Sequence, residues 1–213
     1  MRKFLGLLCC ILLLCPRAAA AERKYVAVIL EDPVLEGPML ENLSRRNARV
    51  TVFLSRGKLE TAPNLAQTLL DGGHEIGLRN QEDFTPLSRR AIARTLNDQR
   101  SLLPQKCPVR FLRPGTSRPS DGTRQVARAL GLCLVEGRTR PARPENSAWI
   151  LSPLGRIQDG DILLAEEWNL PNLVELLQNQ GYTLVTLSRL AALRQAQLHP
   201  GQTYTRFPPA AAP

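Results

Sequence analysis

Histidine is nearly missing from this chain: two residues in 213, His74 and His199. Structural and catalytic zinc centres draw mainly on imidazoles and thiolates, and two histidines so far apart in sequence do not provide a His pair. Cysteine is also scarce where it could matter. Of five, Cys9, Cys10 and Cys15 crowd into the first 21 residues. Cys107 and Cys133 remain, enough for one disulfide or two free thiols but not for a disulfide framework. Aromatic residues make up 5%. There is no Gly-rich phosphate loop and no internal repeat. Ser117 and Ser120 have no histidine in any recognisable order around them, which leaves a serine nucleophile unsupported. The apolar run Phe4–Leu14 is eleven residues long, too short to span a bilayer comfortably.

That run has another reading. Arg2 and Lys3 precede it, and Ala18-Ala19-Ala20-Ala21 supplies an A-x-A cleavage site before Glu22. This is the pattern of a secretory signal peptide over residues 1–21, with an uncleaved N-terminal anchor as the alternative. Leu14 ahead of Cys15 argues against a lipoprotein signal. The expected location is therefore secreted or extracytoplasmic, associated with the cell envelope, and not integral to the membrane after cleavage. The formal charge is +9, from 28 basic and 19 acidic residues. Loss of Arg2, Lys3 and Arg17 leaves 25 basic residues against 19 acidic. Outside the cytoplasm such an excess suits an anionic envelope polymer or a lipid surface better than nucleic acid.

After the leader, apolar runs and turn signals alternate regularly. Tyr25–Ile29 is β-rich and ends in Leu30-Glu31-Asp32. Glu36–Asn47 has Met39, Leu40 and Leu43 at helical spacing. Arg49–Leu54 reads as a strand, Pro63–Gly73 as a helix opened by Pro and stopped by Gly72-Gly73, and His74–Leu78 as a strand. His74, just inside that strand, suits a structural role. Ser88 caps a helix facing inward through Ile92 and Leu96, closed by Pro104. Val109–Leu112 is a strand ending in Arg113-Pro114-Gly115. A helix from Ser120 or Asp121 runs to Gly131, and Leu132–Val135 is the next strand. Arg138–Pro144 reads as a surface loop and Ala148–Leu151 as a short strand. Asp161–Ala165 is a buried-type strand, Leu170–Gln180 a helix and Tyr182–Leu187 the last strand. Ser188 caps a final helix, and the Pro/Ala-rich tail 199–213 is expected to fray. The domain proper is 22–198.

About seven strands alternating with helices imply a parallel sheet with helices outside it: a closed or nearly closed β/α barrel with fewer than eight units, or a doubly wound open sheet. In either architecture the C-terminal ends of the strands form the working edge. Glu31 and Asp32 sit at such an end.

Six stretches together resemble the NodB-homology polysaccharide deacetylases: Val28–Asp32, Ala48–Leu54, Gly72–Gly77, Phe111–Pro114, Gly160–Leu164 and Gln180–Ser188. The resemblance implies an α/β fold, a distorted (β/α) barrel, and hydrolysis of an N-acetyl amide on an amino sugar. In that reaction a divalent metal polarises the carbonyl and activates a water, a carboxylate takes the proton, and a His returns one to the leaving amine. On the family pattern Glu31 stands at the base position, one methylene longer than the usual Asp. Asp32 keeps a metal-ligand position. Arg79 and Asp83 stand where the two metal histidines belong, with their four-residue spacing. Arg113 and Pro114 are kept, followed by Gly115 and Thr116 in place of Pro and Tyr. Ala165 stands at the lost acid His. A guanidinium cannot ligate a metal and opposes cation binding.

Three functions follow from this pattern. The first is a degenerate deacetylase-like protein of envelope carbohydrate metabolism, which uses no cofactor and binds a glycan or a protein partner through the old cleft. Arg79 then neutralises Asp32, Asp83 or Glu31 in place of a metal. The second is an active carbohydrate N-deacetylase with Asp32 and Asp83 as metal ligands and Glu31 as base. Such carboxylate sites favour Mg or Mn over Zn. The third is a basic envelope protein that binds an anionic polymer through Arg138, Arg140 and Arg143. Nucleic acid is not an expected partner. Arg79, Glu166 and Trp168 are expected to line the cleft. Glu166 follows the position of the lost His. Trp149 and Trp168 could stack on a sugar, though a partly buried Trp is the commoner outcome.

Overall fold

The structure, a computed structural model, describes residues 23–35, 37–115, 118–137 and 157–208. Its strands are β1 (Lys24–Glu31), β2 (Thr51–Leu54), β3 (Glu75–Arg79), β4 (Phe111–Arg113), β5 (Cys133–Val135), β6 (Ile162–Leu164), β7 (Tyr182–Val185) and β8 (Thr203–Tyr204). The helices are α1 (Gly37–Arg45), α2 (Arg56–Thr61), α3 (Leu65–Asp71), α4 (Arg89–Ser101), α5 (Asp121–Ala129), α6 (Leu170–Asn179) and α7 (Leu187–Leu193). The strand order is β6-β1-β2-β3-β4-β5-β8, and β7 pairs with the first half of β1. All these pairings are parallel. The result is the distorted β/α barrel that the alternation of strands and helices implies.

Successive side chains of a strand point to opposite faces, and this places the site. Ala27, Ile29, Phe53, Phe111, Cys133, Val135 and Ile162 form one buried cluster with Leu187 and Phe207. Val26, Val28, Val52 and Ile76 belong to another cluster, with Leu43, Leu69, Val174 and Leu177 from the helices. Gly77 is a glycine because the Phe53 ring occupies the space its Cβ would take. Carried one step further, the alternation brings Glu31 after Ile29, Arg79 after Gly77 and Arg113 after Phe111 to the inner face at the C-terminal ends of their strands.

Several expectations are corrected. The helix expected over 63–73 is confined to α3. The preceding Arg56–Thr61 is a separate helix, N-capped by Ser55, whose side chain accepts from the Lys58 N–H. The last helix is capped by Thr186 rather than Ser188. Ser188 instead donates its N–H to Glu75 Oε2 at 3.0 Å and its hydroxyl to Glu75 Oε1. The tail does not fray through residue 208. Thr203–Tyr204 pairs with Leu134–Val135, Arg206 bridges antiparallel to Asp161, and Phe207 is buried. The leader 1–21, the loop Arg138–Pro144, the strand expected at Ala148–Leu151 and Trp149 lie outside the described residues. Cys107 and Cys133 are free thiols, the first half-buried and the second buried.

Candidate functional site

At the mouth of the barrel four charged side chains converge. Arg79 Nη1 lies 2.7 Å from Asp32 Oδ2, and Arg79 Nη2 lies 3.0 Å from Glu31 Oε2. Arg113 Nε pairs with Glu31 Oε1. Arg79 and Arg113 are register partners on neighbouring strands, so two cations stand side by side and Glu31 bridges them. Two guanidinium groups meet two carboxylates, and the cluster is formally neutral. Burial pulls the Arg113 guanidinium below its ordinary value, with Glu136 opposing the shift; it remains a cation at neutral pH.

Asp32 has a left-handed backbone, φ 43°, a conformation that costs a non-glycine residue energy and that Asp tolerates better than most. The turn aims both carboxylate oxygens at donors. Oδ1 accepts the Ser55 N–H at 2.6 Å, and Oδ2 accepts Arg79 and Gln81 Nε2, the latter at 2.9 Å. Ser55 is also the residue that caps α2, so the ends of β1 and β2 are joined through one carboxylate. Behind Arg79, the buried Gln99 of α4 donates Nε2 to Leu54 O at 2.6 Å and to Arg79 O at 3.2 Å, fixing the ends of β2 and β3. Sequence reasoning missed Gln81, Ser55 and Gln99. Only Gln99 left a signal: a polar residue that continues the inward spacing Ile92, Leu96, Gln99.

The structure therefore brings Glu31, Asp32, Arg79 and Arg113 together. Asp83 lies in the loop after β3, its Oδ1 accepting the Thr85 N–H at 2.9 Å. It shares a shallow depression with Asn80, Phe84, Pro114 and Ser120. Ala165 is buried directly after β6, its N–H donating to Ile29 O at 2.9 Å. Glu166 and Trp168 are exposed on the turn that follows, and Trp168 Nε1 donates to Glu166 Oε2.

This donor set does not fit a divalent cation. Both oxygens of Asp32 already accept N–H groups, each oxygen of Glu31 faces a guanidinium, and the Arg79 cation stands between the two carboxylates. Among the described residues no three His, Cys, Asp or Glu side chains are grouped so as to hold a metal ion. His74 stands apart from the site. It is buried, its Nδ1 accepts the Val50 N–H at 3.3 Å, and burial, with help from the nearby Arg49 charge, lowers its pKa to about 4.

A family model described as polysaccharide deacetylase matches residues 22–135. No curated protein sequence matches the chain. Among solved structures, the Xyl-CE4 domain of a multidomain xylanase from the hindgut metagenome of Trinervitermes trinervoides superposes with a TM-score of 0.71 at 22% identity, covering 86% of this chain and 98% of that one. The peptidoglycan deacetylase PdaC of Bacillus subtilis gives 0.65 at 17% identity, with 82% and 93% covered. A CE4-family pseudoenzyme from Bacillus anthracis gives 0.62 at 18%, with 86% and 70% covered. At these identities the likeness concerns the fold, which is shared by enzymes and by a protein described as a pseudoenzyme.

Proposed function

The chain belongs to the polysaccharide deacetylase family, and from that premise we propose that it is an exported, non-hydrolytic member that binds an amino-sugar polymer of the cell envelope through its barrel mouth. The observation that carries this reading is the Arg79 guanidinium bridging Glu31 and Asp32. Amide hydrolysis needs a base with a free lone pair facing the attacking water and an acid for the leaving amine. Here Glu31 is held by two guanidinium groups, and Ala165 has no proton to give. Arg79 supplies the positive charge that these carboxylates would otherwise draw from a cation. The leader-like segment 1–21 supports export, and the solved relatives named for peptidoglycan or xylan-associated proteins support a polysaccharide as the ligand class. That a protein of the same fold is described as a pseudoenzyme supports the loss of hydrolysis.

Metal content and acetate release test the proposal directly. The purified protein is expected to hold far less than one equivalent of divalent metal. It should release no acetate above the uncatalysed rate from N-acetylated chito-oligosaccharides or peptidoglycan. Stoichiometric metal, or turnover abolished by Asp32→Ala, would overturn it.

A further inference from the structure

Trp168 is 58% exposed and Val34 59% exposed, two of the three large apolar side chains left in solvent among the described residues. They are on different loops that the fold ties together. Val34 follows β1 and Trp168 follows β6, two strands in register at Ile29 and Leu164. The Val34 N–H donates to Glu167 Oε2 at 2.7 Å, fastening the first loop to the short helical turn Glu167–Asn169 that carries Trp168. The indole is held by its nitrogen, which donates to Glu166, so it is anchored at one edge with much of its surface in water. A Trp side chain gains much from burial, and this one, three residues after Ala165, is left largely exposed.

The charge next to it also differs from that in the barrel mouth. Glu31 and Asp32 are neutralised by Arg79 and Arg113. Glu166 is exposed, its partner is the uncharged indole N–H, and among the described residues no cation pairs with it. The rim therefore offers an apolar platform beside a carboxylate that no cation among the described residues pairs with. A pyranose ring presents an apolar C–H face that suits an indole. A free 2-amino group, protonated, suits the carboxylate, and N-acetylation removes that charge.

We infer that Trp168, Val34 and Glu166 form a rim subsite for a free-amine (glucosamine-type) unit of an amino-sugar polymer, taken in preference to the N-acetylated unit. This rests on the reading of the chain as a glycan-binding protein and names the chemical state of the sugar it holds. The test is calorimetric titration of the full chain with a glucosamine hexamer and with the fully N-acetylated hexamer, at about pH 5.5, above the carboxylate range and below that of amines weakened by neighbouring oxygens. At low salt the free-amine hexamer is expected to bind about 1.5- to 5-fold more tightly, the range an exposed ion pair can supply, and the gap should narrow as salt screens it. Trp168→Ala should weaken both ligands by about 10-fold or more, in keeping with loss of an aromatic anchor. Glu166→Gln should erase the preference and keep the residual affinity, with the unfolding midpoints of both variants near that of the parent. Equal or tighter binding of the N-acetylated hexamer, unchanged affinity in Trp168→Ala, or no binding of either hexamer overturns the inference. Acetate release or bound stoichiometric metal would instead sink the non-hydrolytic reading, so the two failures are distinguishable.

Discussion

A guanidinium placed between two carboxylates can stabilise the fold as well as neutralise them, and Arg79 is positioned to do both. Its side chain is 27% exposed, that of Glu31 22% and that of Asp32 14%. Among the described residues, removing it leaves Asp32 with the Ser55 and Gln81 donors and Glu31 with Arg113. Arg79→Ala is therefore expected to lower unfolding stability by about 2–3 kcal/mol, somewhat below the cost of breaking a fully buried pair. Denaturant titration at neutral pH reads this, and an unchanged midpoint would show that the cluster is only superficial. His74 gives a second expectation. Its folded pKa lies at about 4, while the unfolded chain binds that proton near pH 6.5. Between these values the unfolded state holds more protons, so stability falls as pH drops from about 6.5 towards 4 and recovers as pH rises. The loss should be on the order of 2 kcal/mol. His74→Gln should flatten this part of the pH profile, and an equally steep profile in that variant would place the titration elsewhere. Glu31 and Asp32 were visible in the sequence because they end a strand pattern, and Arg79 and Arg113 because the family resemblance puts them at site positions. Their pairing was visible only in outline: Arg79 was expected among several carboxylates, whereas its partnership with Glu31 and Asp32, and that of Arg113 with Glu31, come from strand register.

At the scale of elements, the strands were legible because their cores are runs of β-branched and aliphatic residues bounded by Gly, Pro or Asp. Two elements were not. The segment Arg56–Thr61 has no apolar face beyond Leu59, so its helicity rests on the Ser55 cap and the chain reversal after β2. The two-residue β8 lies in a tail rich in Pro and Ala, between Pro200 and Pro208, and composition there suggests a loose end. What holds it is long-range. Phe207 donates its N–H to Gly160 O at 2.7 Å, and Gly160 donates its own to Tyr25 O at 2.7 Å. Gly160 has φ 86°, and a Cβ there would overlap the Phe207 carbonyl, so the contact requires glycine. With β6 at one end of the strand order and β8 at the other, residues 206–207 bridge the remaining seam. Phe207→Ala should therefore cost about 3 kcal/mol, as for truncation of a buried aromatic. A chain ended after His199 should lose still more. Thermal unfolding checks both, and a Phe207→Ala midpoint within a degree or so of the parent would mean that the seam is closed without the tail.

Over the whole molecule the barrel interior changes character along the strands. Thr51 and Glu75, register partners that begin β2 and β3, are joined by a hydrogen bond, and Glu75 also holds Ser188. Ile29, Phe53 and Phe111 belong to one buried cluster, and Glu31, Arg79 and Arg113 end their strands, so changes at the mouth fall on strand ends rather than inside the apolar cluster. If Arg79 is what excludes a metal, its replacement should matter more than any other change. Glu31→Asp, Arg79→His, Asp83→His and Ala165→His together rebuild the family's two-Asp, His-x-x-x-His and acid-His pattern at positions that already end strands or follow them. This variant is expected to retain about one equivalent of zinc through gel filtration, the stoichiometry of a single His/carboxylate site. The three-fold variant that keeps Arg79 should retain almost none, because a fixed cation at the ligand position opposes a second one. Equal zinc retention in the two would show that the missing imidazoles alone, and not the guanidinium, keep the metal out.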